Sequence, residues 1–139
     1  MMHMPGLLIA DEDVLTRKRM ADLFIKAGYQ VTVTNSAAGV LYGILKKTAQ
    51  VVLLSTRFDQ MLATELIPIL KKCNRNLTII LVASELPLAL IRKARSEGIF
   101  YHALKPSKPS DEEELREAVK SAYEKETNNA TGERLQYQQ

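Results

Sequence analysis

Five short runs of branched apolar residues recur along this chain: GLLIA (6–10), QVTVT (30–34), QVVLL (50–54), LTIILV (77–82) and IFYHAL (99–104). Runs of this length and composition read as strands, and the stretches between them carry a helical period. The first such stretch places Met20, Leu23, Phe24 and Ala27 on one face, with Asp13 as N-cap and Gly28 as a stop. Ser36 caps a second helix bearing Ala37, Val40, Leu41, Ile44 and Leu45. Ser84 opens a fourth, with Pro87 in its early turn, Leu90, Ile91 and Ala94 facing inward and Gly98 at its end. Ser110 and Glu113 form an S-x-x-E capping box ahead of Leu115, Ala118, Val119, Ala122 and Tyr123. Strands alternating with helices imply right-handed βαβ units, hence an α/β fold with a doubly wound parallel sheet of five strands covered on both faces.

The third helix is irregular in sequence, because Pro68 interrupts the pattern of Leu62, Leu66, Ile69 and Leu70 and is expected to shift its start or kink it. Residues 1–5 read as an N-terminal extension, 6–125 as one domain, and 126–139 as a polar tail or linker lacking an apolar period. A chain of 139 residues is one ordinary domain, and its 46% hydrophobic content suffices for a core. The net charge of +3 is small and its cations are spread out, so nucleic-acid binding does not follow from it. A lone Cys73, expected to be an inert thiol, excludes an internal disulfide. No stretch reads as a membrane span or secretory signal, so a cytoplasmic protein is expected.

In an open parallel sheet, ligands bind beyond the carboxyl ends of the strands. Four places therefore matter: Asp11, Glu12 and Asp13 after the first run; Ser55 through Asp59 after the third; Ala83 and Ser84 after the fourth; Lys105 and Pro106 after the fifth. Adjacent carboxylates at a strand end repel phosphate and attract a hard cation or an ammonium, which argues against a nucleotide cradle there. Asp13 is expected to serve mainly as a helix cap.

This arrangement resembles the receiver domain of two-component response regulators over about residues 6–125. The resemblance is carried by the acidic pair Asp11 and Glu12, by Lys105 followed by Pro106, and by the spacing between them. It implies a flavodoxin-like sheet in the order 2-1-3-4-5. In such receivers the third strand ends in an aspartate that accepts phosphate from a partner kinase's phosphohistidine; Ser55 holds that position here. The family's hydroxyl residue after the fourth strand falls on Ala83, with Ser84 next. Its aromatic switch position, three residues before the lysine, falls on His102. The proline usual four residues past the acceptor is replaced by Asp59.

Aspartyl phosphorylation needs an anionic oxygen nucleophile, a divalent metal held by carboxylates, and a positive group for developing charge. Ser55 is neutral, and its hydroxyl would need a neighbouring base such as His102. Asp11 and Glu12 alone form a poor cage, so Mg²⁺ is expected to bind weakly at best and no cofactor is expected. Lys105 is then expected to pair constitutively with Asp11 or Glu12.

The resulting expectation is a pseudo-receiver: not an enzyme, but a phosphorylation-independent signalling and protein-interaction module. By the resemblance it contacts signalling proteins, or a second copy, through the fourth helix, fifth strand and fifth helix, where Arg92, Lys93, Arg95, Tyr101, His102 and Lys108 lie. The alternative is a divergent receiver still phosphorylated with Mg²⁺ at Ser55, or at Asp59, which could also restore a third carboxylate. A DNA-binding regulator is disfavoured by the absence of a helix-turn-helix segment or basic stripe.

Overall fold

The computed structural model describes residues 6–47, 49–58 and 61–137, with side chains over 6–47, 49–56 and 61–125. The elements run β1 (Gly6–Ala10), α1 (Val14–Lys26), β2 (Gln30–Thr34), α2 (Ala37–Leu45), β3 (Val51–Ser55), β4 (Arg57–Phe58), β5 (Met61–Leu62), α3 (Ala63–Cys73), β6 (Thr78–Ala83), α4 (Leu88–Ser96), β7 (Tyr101–Leu104) and α5 (Pro109–Tyr137). Five strands form one parallel sheet in the order β2-β1-β3-β6-β7, the order expected from the sequence.

Alternate side chains of the central strands feed two cores, as a strand's period of two requires. On one face Leu8, Val52, Leu54, Ile79 and Leu81 pack with Val40 and Ile44 of α2, Leu66, Ile67 and Leu70 of α3, and Ala94 of α4. On the other, Leu7, Ile9, Leu53, Ile80 and Val82 meet Met20 and Phe24 of α1 and Leu115, Val119 and Ala122 of α5. Every residue of β3 and β6 is buried, which explains why these two runs are continuously apolar instead of alternating. Phe24 meets Tyr29 edge to face, Tyr29 stacks obliquely on Tyr123, and the Tyr123 hydroxyl donates to the Gly6 carbonyl, tying α5 to the start of β1.

Local signals explain most element ends. The Asp13 side chain accepts from the Thr16 N–H at 2.9 Å, and Ser36 from the Gly39 N–H at 3.0 Å, capping α1 and α2 as expected. Gly28 and Gly98 follow α1 and α4 with φ of 96° and 102°, a left-handed conformation that glycine adopts without strain.

Two expectations need correction. The cap of α4 is Pro87, not Ser84, because the chain stays extended past β6 before it turns. At α5 the Ser110/Glu113 box is not used: Pro109 starts the helix, and buried Asp111 reaches back to accept from the Ser107 N–H (3.1 Å) and hydroxyl (2.9 Å). Those two bonds hold the Asp111 carboxyl below the usual carboxylate range, while Glu113 pairs with Arg116 at 2.7 Å. Pro68 lies inside α3, and the irregularity expected near it falls just ahead of the helix, where β4 and β5 form a small antiparallel ribbon. Helical backbone in α5 also continues past Lys125 to Tyr137, through residues expected to form a tail.

Phe24 is fully buried and Leu45 is 71% exposed. Phe24→Ala is therefore expected to destabilise the fold by about 3–5 kcal/mol and Leu45→Ala by less than about 0.5 kcal/mol, as measured by urea unfolding.

Candidate functional site

Register brings the chemistry-bearing residues to one rim. Ala10 is paired with Leu54, so Asp11 and Ser55 follow side by side at the carboxyl ends of β1 and β3. Ser55 is level with Val82 and Ala83 with Leu104, and the Lys105 N–H donates to the Ala83 carbonyl at 3.1 Å, which places Lys105 at the same rim. Asp11 and Ser55 are buried, at 1% and 3% exposure.

Asp11 is held on several sides. Its N–H donates to the Thr34 carbonyl (3.1 Å), its Oδ1 accepts from the Asp13 N–H (2.9 Å), and its own carbonyl accepts from Arg17 Nη1 (2.8 Å). Its Oδ2 is buried and accepts no hydrogen bond from the described residues, but Lys105 Nζ lies 3.5 Å away. That separation makes an ion pair looser than a charge-assisted hydrogen bond. The Lys105 side chain is 25% exposed, so solvent screens the pair only in part.

The other acidic candidates do not join them. Glu12 is exposed, and Asp13 is spent on capping: its Oδ2 accepts from both the Thr16 hydroxyl and the Thr16 N–H, which hold the Asp13 carboxyl low. Asp59 lies outside the described residues. Ala83 is buried and presents no hydroxyl; Ser84 is exposed and lines a cleft of about 390 Å³ with Thr16, Lys105 and Lys108. His102 is level with Leu81 and so lies toward the α4 side of β7. Its Nε2 is buried and accepts no hydrogen bond among the described residues; burial first, then Arg95, push its pKa down, against a smaller opposite pull from Glu114.

Among the described residues, this rim offers few free oxygens to a hard divalent cation. Mg²⁺ takes an octahedron of oxygens that includes carboxylates. Here one Asp11 oxygen is bound to a backbone N–H, the other faces an ammonium, and the neighbouring position holds an alcohol. Among the described residues no group of three or more His, Cys, Asp or Glu converges to hold a metal ion. Sequence reasoning missed Arg17, whose contact to the Asp11 carbonyl spans six residues across a strand–helix junction and leaves no short motif. It also missed the β4–β5 ribbon, which is built from strands of two residues each.

A parallel sheet in this order, with a buried aspartate ending β1 and a lysine directly after β7, defines a receiver-type signalling fold. Residues 7–120 match the response regulator receiver domain family, and the chain belongs to it. Over 114 residues it is 27% identical to the sporulation initiation phosphotransferase F of Bacillus subtilis strain 168, covering 82% of this chain and 90% of that protein. The signal receiver domain of an HD domain-containing protein from Pseudomonas fluorescens Pf-5 superposes with a TM-score of 0.84 at 23% identity, covering 94% of this chain and 95% of that one. A CheY-like receiver from Methanospirillum hungatei JF-1 superposes at 0.79 with 21% identity, covering 91% and 99%. These two likenesses speak to the fold.

Two outcomes follow from the geometry. Lys105→Met leaves the buried Asp11 carboxylate unpaired, and should cost about 1–3 kcal/mol in chemical denaturation, less when combined with Asp11→Asn. For His102, the folded pKa is lowered below the ordinary value of about 6.5, so its contribution to stability is complete above that value and is lost as pH falls below it toward the folded pKa. Denaturation at stepped pH should show a decline on acidification through this window that His102→Gln flattens.

Proposed function

We propose that this receiver domain is a phosphorylation-independent signalling module that works by binding other proteins. The carrying observation is the neutral hydroxyl of Ser55 at the end of β3, beside a buried Asp11 whose free oxygen faces Lys105 at 3.5 Å. Forming an acyl phosphate requires a carboxylate nucleophile, which Ser55 is not. It also requires a metal to neutralise the phosphoryl oxygens, and the donors at this rim bind Mg²⁺ weakly or not at all. Lys105, paired with Asp11, acts as a fixed brace between β1 and β7 instead of a group that moves toward a phosphate. On this reading the domain is not an enzyme, uses no cofactor and works in the cytoplasm.

The partner surface proposed is that of α4, β7 and α5, where Tyr101, Leu88 and Leu104 are exposed apolar groups among Arg92, Lys93, Arg95 and Lys108. Another signalling protein or a second copy would dock there. Nucleic acid and membrane are not its ligands.

A second reading is favoured by one observation, that the Bacillus relative is named a phosphotransferase. On that reading Ser55 or Asp59 accepts phosphate from a kinase with Mg²⁺. Incubation with Mg²⁺ and acetyl phosphate followed by intact mass spectrometry separates the two: an unchanged mass is expected, and gain of one phosphoryl group that disappears in Ser55→Ala or Asp59→Asn would replace the first reading with the second. Ser55→Asp should raise Mg²⁺ affinity by about tenfold or more in a calorimetric titration, since it restores a carboxylate ligand.

A further inference from the structure

We infer that a second docking site lies at the far end of the molecule, a cleft between the C-terminal ends of α2 and α3 that receives an acidic amphipathic helix from a partner protein. This inference goes beyond the reading of Ser55 and does not depend on it.

Helix α2, AAGVLYGIL, has no charged residue on any side. A helix apolar all round is ordinarily buried, yet α2 is a surface element. Val40, Gly43 and Ile44 face the core, while Tyr42 is 64% and Leu45 71% exposed. Ala38, Tyr42 and Leu45 are exposed at i, i+4 and i+7 along one side of α2, while Leu41 beside them packs partly against the core. That side runs into a cleft of about 480 Å³ whose walls include Ile44, Leu45, Ala49 and Cys73. An exposed apolar patch with a polar rim marks an interaction surface.

Charge specifies the occupant. Between Asp22 and Asp59 the sequence contains no acidic residue. Lys47 lines the cleft, exposed Lys46, Lys72 and Arg75 adjoin its lining residues in sequence, and no carboxylate is among the described residues that line it. Lys47 has φ of 57°. It stands where Gly28 and Gly98 stand after α1 and α4, so a cation is kept at the rim in a conformation that favours glycine. An apolar cleft with Lys47 in its wall and further cations adjoining complements a helix whose apolar face is bordered by Glu or Asp. Two copies meeting face to face across this cleft would instead oppose their lysines, and a concave cleft accepts a projecting side chain better than a planar bilayer.

Cys73 is the chain's one cysteine and lines the cleft, so its alkylation reports occupancy directly. The probe is a synthetic helical peptide with leucines at i, i+3, i+4 and i+7 and glutamates elsewhere. Controls are a scrambled peptide of the same composition and a version with lysine for glutamate. The glutamate peptide is expected to bind in fluorescence anisotropy, to weaken with added salt, and to slow iodoacetamide alkylation of Cys73 by roughly tenfold at saturation. Leu45→Glu should abolish both effects. Lys47→Gly should weaken binding while raising the midpoint of urea unfolding, a combination that loss of structure would not produce. The inference is overturned if alkylation of Cys73 is unprotected, if the scrambled or lysine peptide binds equally, if vesicles containing phosphatidylglycerol protect the thiol in place of the peptide, or if sedimentation shows the chain self-associating through a surface that Leu45→Glu disrupts. Ser55→Asp should leave peptide binding and the protection of Cys73 unchanged, so failure here and failure of the phosphorylation-independent reading are separately visible.

Discussion

Complete burial of β3 and β6 between two helical layers is the constraint on which the rest of the molecule depends. With helices on both faces, neither strand can present a polar side chain along its length. Their sequences comply: VVLL and TIILV reach the rim before any site-forming polar group appears, and Thr78 at the opposite end of β6 is the buried exception. Polar chemistry is thus confined to the strand ends, and the parallel register brings the ends of β1, β3, β6 and β7 to one line. The fold makes the site's location a matter of topology and leaves its chemistry to a handful of side chains.

At that rim one buried negative charge organises the rest. Asp11 cannot remain buried without compensation, and the structure meets the need twice, by the Asp13 N–H at one oxygen and by the Lys105 ammonium near the other. The N–H comes from the turn that opens α1, so the same three residues both begin a helix and hold the carboxylate. A carboxylate at position 55 would bring a second buried negative charge beside Asp11 and call for a cation larger in charge than one ammonium. With an alcohol there, a single ammonium is matched to a single carboxylate. The looseness of the pair at 3.5 Å reflects a lysine reaching across from the end of β7 and not a tight fork.

Much of this was legible in the amino-acid order because strand ends and helix caps are local signals. The five runs, the caps Asp13 and Ser36, and the stops Gly28 and Gly98 each rest on a few neighbouring residues. Asp11, Ser55 and Lys105 could be placed because α/β topology turns position after a strand into position in space. What escaped depended on contacts distant in sequence or on competition between equivalent local signals. Ser110 with Glu113 and Ser107 with Asp111 are both plausible caps for α5, and burial of Asp111 against the rest of the domain decides between them. Pro68 sits one turn into α3, where the partner it removes is only the Thr64 carbonyl, so packing of Leu66, Ile67 and Leu70 outweighs the lost hydrogen bond. Glu12 adjoins Asp11 in sequence but, unlike it, is turned to solvent, a distinction no spacing rule could make.

The two ends of the sheet carry opposite designs. At the carboxyl end a buried carboxylate is met by a backbone N–H at one oxygen and, loosely, by the Lys105 ammonium at the other. At the amino end, around the exits of α2 and α3, cations stand at the surface beside exposed Leu45 and Tyr42, and no carboxylate is among the described residues that line the cleft. Lys46 lies over the Tyr42 ring at 5.4 Å, which spreads that positive charge across the aromatic face without neutralising it. A surface with unmatched charge and uncovered apolar area is improved by association, whereas one already compensated gains less. On the proposed reading, binding energy for a partner is therefore to be sought where apolar area is uncovered beside cations, along α2 and its exit, as well as on the α4, β7 and α5 face.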